Sequence, residues 1–182
     1  MVMLRRTFLS SCGRLAGLGI CYTIGAPGPA AAQTYVDLEW RDLLPPGEDQ
    51  EIARQRAMTL RRAAPHGSLE DDARPMSELQ FGTFNTVRSL HGRRSRLKGY
   101  VVPLDVRLTS LDAFLLVPFF GACLHAPPPP PNQTVFVRAR QTAKIDSLYR
   151  PVECQGTLKI VRQSSEMGAS AYELDLDRLK RL

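Results

Sequence analysis

The sequence predicts a mainly β protein: a small five-stranded OB-like barrel over residues 81–182, preceded by an N-terminal extension (33–80) with one short helix. Three observations predict it. Beyond Phe81 the chain breaks into short apolar runs divided by turn residues, at 95–102, 111–120, 134–140, 152–162 and 171–176, a texture that reads as strands. Gly99 and Gly156 each fall inside such a run, where a bulge lets a sheet bend sharply. Upstream, only residues 51–64 repeat their apolar positions at helical spacing.

The chain opens with residues 1–32, which hold Arg5, Arg6 and Arg14 and no acid, a weakly apolar run over 15–26, and Ala30-Ala31-Ala32. That is the pattern of a secretory signal with a small-residue cleavage site, so cleavage is expected near Ala32, with a mature periplasmic chain beginning at Gln33. A membrane span needs roughly 20 predominantly apolar residues, so no transmembrane segment is expected after cleavage. Arg5-Arg6-Thr7-Phe8-Leu9-Ser10 resembles the twin-arginine export motif, although Leu4 and Ser10 depart from its preferred flanks. Ile20 precedes Cys21 where a lipidation signal wants a small residue, which argues against an acyl anchor.

Removing the signal lowers the Lys and Arg count from 24 to 21 against 18 acids, and the net charge from +6 to +3. A chain of this length buries a core without a disulfide framework. Two cysteines remain, Cys123 and Cys154. If they paired in an oxidising compartment, the closed loop would add roughly 3–4 kcal/mol.

Within the extension, residues 35–44 alternate partly and stop at Pro45-Pro46-Gly47, with Trp40 expected as a packing anchor. The helix at 51–64 places Ala53, Ala57, Leu60 and Ala64 on one face and Arg54, Arg56, Arg61 and Arg62 mostly elsewhere. So weak an apolar face fits a solvated basic helix better than a membrane-surface one. Residues 65–80 are polar and aperiodic and read as a flexible connection. Leu90-His91-Gly92 supplies a turn into the first barrel strand. Tyr100 and Phe136 alone are too few for a base-stacking platform, so no nucleic-acid partner is expected. No phosphate-binding glycine loop or Gly-x-Ser-x-Gly elbow is present, and no catalytic set can be named.

The chemistry-bearing stretch is Phe119-Phe120-Gly121-Ala122-Cys123-Leu124-His125-Ala126, running into Pro127–Pro131 and Asn132-Gln133. In an extended segment residues at i and i+2 face the same side, so Cys123 and His125 can converge on one ion. Zinc accepts thiolate and imidazole, and soft ligands also suit Cu(I), but a structural zinc site wants four protein ligands and a catalytic one three. His66, His91, Cys154, Asp105 and Asp112 are the side chains that folding could add. Two other readings stand beside the metal: Cys123 as a small buried hydrophobe, or Cys123 as a redox thiol with Cys154 as its resolving partner. The prolines favour a polyproline II rod, read here as a rigid wall positioning Cys123 and His125, with partner docking as the competing use; Asn132-Gln133 are placed to cap its carbonyls or simply to restart the next strand.

Phe84-Asn85-Thr86-Val87, Leu90-His91-Gly92, Leu97-Lys98-Gly99-Tyr100-Val101-Val102-Pro103-Leu104 and the run from Phe114 through Gln133 resemble the domain of unknown function 3299 family of secreted bacterial proteins. The resemblance covers roughly residues 81–176, with Trp40 and Leu43 as further matches. It implies an envelope protein associated with ABC-type transport systems, some of them linked to metal supply, and no established activity. Cys123 and His125 fall on the family motif and Cys154 does not, which favours metal ligation over a Cys123–Cys154 disulfide. The resulting expectation is a non-enzymatic periplasmic binding or accessory protein whose partners are ABC-transporter components. Its ligand is zinc or another transition metal held by Cys123 and His125; a thiol-dependent redox protein and a structural docking protein are the alternatives.

Overall fold

Alternation dictates the first long strand: in Arg93–Pro103, Ser95, Leu97, Gly99 and Val101 turn inward while Arg94, Arg96 and Lys98 turn outward. The structure is a computed structural model that describes residues 34–62, 80–104, 110–122, 128–145 and 147–182. Among them are β1 (Val36–Leu38), α1 (Glu48–Arg62), β2 (Arg93–Pro103), β3 (Ser110–Val117), β4 (Val135–Lys144), β5 (Val152–Ser165) and β6 (Gly168–Arg181). Single 3-10 turns fall at Trp40–Leu43, Arg88–Leu90 and Pro131–Gln133.

The six strands form one sheet in the order β1-β2-β3-β4-β6-β5, and β5 also pairs with β2. The last five therefore close into a ring, with β1 added in parallel on β2 and β4 running parallel to β6. β2 belongs to two ladders, Arg93–Gly99 against β5 and Tyr100–Pro103 against β3. Gly99 marks the exchange. A Cβ there would meet the Val117 carbonyl at 2.6 Å and the Trp40 ring at 2.9 Å, so only glycine permits the bend. No register shift accompanies it, whereas Gly156 does sit at a bulge, as its place within a strand-like run predicts.

The helix starts at Glu48, three residues before the periodic pattern, because the Glu48 N–H bonds to the Pro45 carbonyl and turns the chain at once. Glu48, Asp49 and Glu51 in its first turn suit the positive end of the helix dipole. The extension and the ring share one core within the compact unit Gln33–Leu182. Leu43 is fully buried in it, and the buried Tyr172 hydroxyl donates to the Leu43 carbonyl at 2.8 Å and accepts from the Val87 N–H at 2.8 Å. β3 is apolar on both faces: Phe114 and Leu116 enter this core, while Leu115 and Val117 join Val102 and Ala122 in a second, smaller cluster.

Candidate functional site

A run of prolines offers carbonyls and no N–H, so burying it demands donors from elsewhere. Pro128–Pro131 are all buried, which makes this part of the rod an interior strap rather than an exposed spacer or docking ligand. Gln80 supplies much of what the strap lacks. Its amide nitrogen donates to the Pro129 carbonyl at 2.7 Å and the Ala169 carbonyl at 2.8 Å, and its oxygen accepts from the Ala169 N–H at 2.7 Å. The Thr134 hydroxyl donates to the Pro130 carbonyl at 3.1 Å, and the Gln133 N–H reaches the same carbonyl at 2.8 Å. Gly82, at φ +105°, lies flat on Pro130, where a Cβ would come within 2.5 Å of the Pro130 Cβ. The strap and the 80–87 segment are locked by contact as well as by hydrogen bonds.

Asn132 and Gln133 do not cap the rod with their side chains. Gln133 donates its amide to the Trp40 carbonyl at 2.7 Å, while the fully buried Asn132 donates to Glu48 Oε1 at 3.1 Å and the Asn85 carbonyl at 3.3 Å. The Glu48 carboxylate, almost wholly buried, also accepts from the Thr83 hydroxyl and from Asn85 Nδ2 at 3.0 Å. Glu48, Thr83, Asn85 and Asn132 thus join the helix start, the 80–87 segment and the strap in one polar cage. Sequence reasoning names Asn85 and Asn132 only as motif positions and misses Glu48, Thr83 and Gln80. The available signal was the demand for donors that any buried proline run creates.

Cys123 and His125, the expected metal ligands, lie outside the described residues, as do His66, Asp105 and the export segment 1–32. Ala122 and Pro128, which flank the motif, are both buried. Two of the remaining expected ligands are hydrogen-bonded elsewhere. His91 sits in the predicted turn with its Nδ1 accepting the Ile160 N–H at 3.1 Å, and Asp112 accepts the Thr142 hydroxyl at 2.7 Å. Cys154 is a free thiol at 0% exposure, and burial, reinforced by the neighbouring Glu153 carboxylate, pushes it well above the ordinary thiol range. It suits neither ligation nor a resolving role. Among the described residues no three His, Cys, Asp or Glu side chains gather as a metal set.

Immediately before this motif the fold leaves large aromatic rings in solvent. Phe119 and Phe120 are 47% and 45% exposed and Tyr149 is 77% exposed. Phe120 stands between Tyr149 and Tyr100, with ring centroids 5.2 and 6.0 Å away, so the rings form one rim above the smaller apolar cluster. A wide cleft of about 700 Å³ beside Trp40 is electrically balanced instead: Asp37 pairs with Arg96 at 3.1 Å and Glu39 with Arg41 at 2.8 Å. The Trp40 indole donates to the Lys98 carbonyl at 2.8 Å, and the ring is the packing anchor its sequence position suggests. No described helix is long and apolar enough to cross a membrane.

Comparison with known proteins bears on the whole of this architecture. A crystal structure of a DUF3299 family protein from Pseudomonas aeruginosa PAO1 superposes with a TM-score of 0.62 at 30% sequence identity, covering 82% of this chain and 97% of that one. No curated protein matches. The family model described as protein of unknown function (DUF3299) matches residues 40–181, from the Trp40 anchor to the end of β6. The chain belongs to the DUF3299 family.

Proposed function

We propose that this protein is an exported, non-enzymatic binding module of the cell envelope that supports an ABC-type transport system and holds a transition-metal ion, zinc or a similar ion, through Cys123 and His125. The observation that carries the reading is the exposed rim of Phe119, Phe120 and Tyr149 next to that motif. Large rings left outside both apolar clusters, with Phe120 packed on Tyr149, are the composition of a docking surface. With His91 and Asp112 hydrogen-bonded elsewhere and Cys154 a buried free thiol, Cys123 and His125 alone would leave the ion open coordination positions, which suits an exchangeable site better than a structural one. The ring order β2-β3-β4-β6-β5, with its parallel β4–β6 contact, supports an OB-type barrel as the scaffold.

Calorimetric titration of the purified protein with zinc, copper and nickel tests the metal. One ion binds per chain, binding weakens as pH falls through the imidazole range and releases protons, and Cys123→Ser and His125→Ala each abolish it. The absence of stoichiometric binding in the reduced parent rejects the metal reading. Replacing Arg5 and Arg6 by lysine and following the chain's location tests the export route; unchanged export rules out the twin-arginine pathway.

A further inference from the structure

The parallel strands β4 and β6 stay paired from Val135 and Tyr172 to Ala139 and Leu176 and then part. β4 regains β3 only at Ala143, so Arg140, Gln141 and Thr142 have no partner in either ladder. On the other wall, the bulge at Gly156 leaves Asp177 opposite no residue of β5. Between the diverging strands opens a crevice of about 390 Å³, floored by Ala143 and Leu176 and rimmed by Arg140, Lys144, Arg178 and Arg181.

Four cations thus surround one opening in a chain whose residues 33–182 carry a net charge of only +3. The one acid of the lining, Asp177, is already matched, by Arg94 at 3.1 Å and the Tyr35 hydroxyl at 3.1 Å. Arg140, Lys144 and Arg178 form no ion pair with any described residue. Like charges crowded around a concave surface raise the local potential and favour a multiply charged anion. Guanidinium forks match the oxygens of a phosphate group in pairs. The volume is at the small end of ligand clefts, enough for one phosphate group and a short carbon skeleton.

We propose that this crevice binds a phosphate ester, with the phosphate among Arg140, Lys144 and Arg178 and the carbon part over Ala143 and Leu176. The site is separate in sequence from the Cys123–His125 motif, and it stands whether or not that motif holds a metal. A soluble phosphate ester and the headgroup of an anionic phospholipid present the same chemistry, and the two sources are separable.

The test titrates the whole protein at about 150 mM salt with glycerol 3-phosphate and, in parallel, with phosphatidylcholine vesicles that contain or lack phosphatidic acid. Saturable one-to-one binding of glycerol 3-phosphate assigns a soluble ligand; binding only to vesicles with phosphatidic acid assigns a headgroup. In either case the double variant Arg140→Gln/Arg178→Gln weakens binding at least tenfold, while Arg41→Gln on the balanced cleft leaves it unchanged. The proposal is overturned if neither probe binds, if the double variant binds like the parent, if sulfate competes equally, or if a single-stranded oligonucleotide binds more tightly than either probe.

Discussion

At its start β4 emerges from a buried strap in which Gln80, Thr134 and the Gln133 N–H answer the proline carbonyls, and in which Asn132 and Glu48 answer each other. Further on, at Arg140–Thr142, the same strand has no partner in either ladder, and Arg140 and Lys144 stand exposed with no ion pair among the described residues. One stretch of the strand is held by groups inside the fold, and the other presents cations on an open rim. An unpaired polar group in the interior is costly, so the protein itself matches the Pro129 and Pro130 carbonyls and the Asn132 Nδ2 group, with Asn132 Oδ1 left as a buried exception. A cation on an open rim costs little to leave unmatched, which keeps it available to a ligand from outside.

The sharpest way to break this contrast is at Gly82, where a methyl group would meet both an unfavourable φ and the Pro130 ring. Gly82→Ala is expected to lose about 3 kcal/mol in urea unfolding, from strain and overpacking together. Gln80→Ala and Asn132→Ala should each lose about 2 kcal/mol, since each strands buried groups without a partner. A loss below about 0.5 kcal/mol in all three would mean the strap is not what fixes the start of β4.

Alkaline unfolding extends the contrast to the core. Burial pushes the Cys154 thiol and the Tyr172 hydroxyl above their ordinary ranges, so the folded protein keeps protons that the unfolded chain releases. Stability is therefore lost as pH rises above about 9 for the thiol and above about 10 for the hydroxyl, at up to about 1.4 kcal/mol per unit for each group until it ionises in the folded state. Cys154→Ala should flatten the first part of that slope, and an unchanged slope would show that Cys154 is not the group responsible. At the crevice between β4 and β6, Arg140→Gln/Arg178→Gln should shift unfolding by no more than about 0.5 kcal/mol, because neither charge it removes is paired among the described residues. A larger loss would make the rim part of the scaffold.

Much of the ring was legible because strands announce themselves by apolar runs and turns: the five expected segments each fall on one of β2 to β6. Trp40 as an anchor, His91 as a turn residue and Gly156 as a bulge were legible for the same local reasons. What local pattern could not carry was partnership across the chain. β1 is only three residues long and exists because β2 offers it an edge. Gln80 closed a stretch that reads as a polar connection, yet its amide reaches Pro129 and Ala169, 49 and 89 residues away. Glu48 reads as one of several acids at a helix start until Thr83, Asn85 and Asn132 close around it. The prolines were legible as rigid, but their burial depends on donors no proline motif contains.

The proposed function rests on a metal ion held by Cys123 and His125. Urea unfolding of the parent and of His125→Ala, each with and without zinc, tests it most directly. At a free zinc concentration about a hundredfold above the dissociation constant, linkage adds about 2.7 kcal/mol to the parent. The expected result is that rise in the parent, none in His125→Ala, and equal stability of the two without zinc. A parent midpoint that zinc does not move, or the same rise in both proteins, would contradict it.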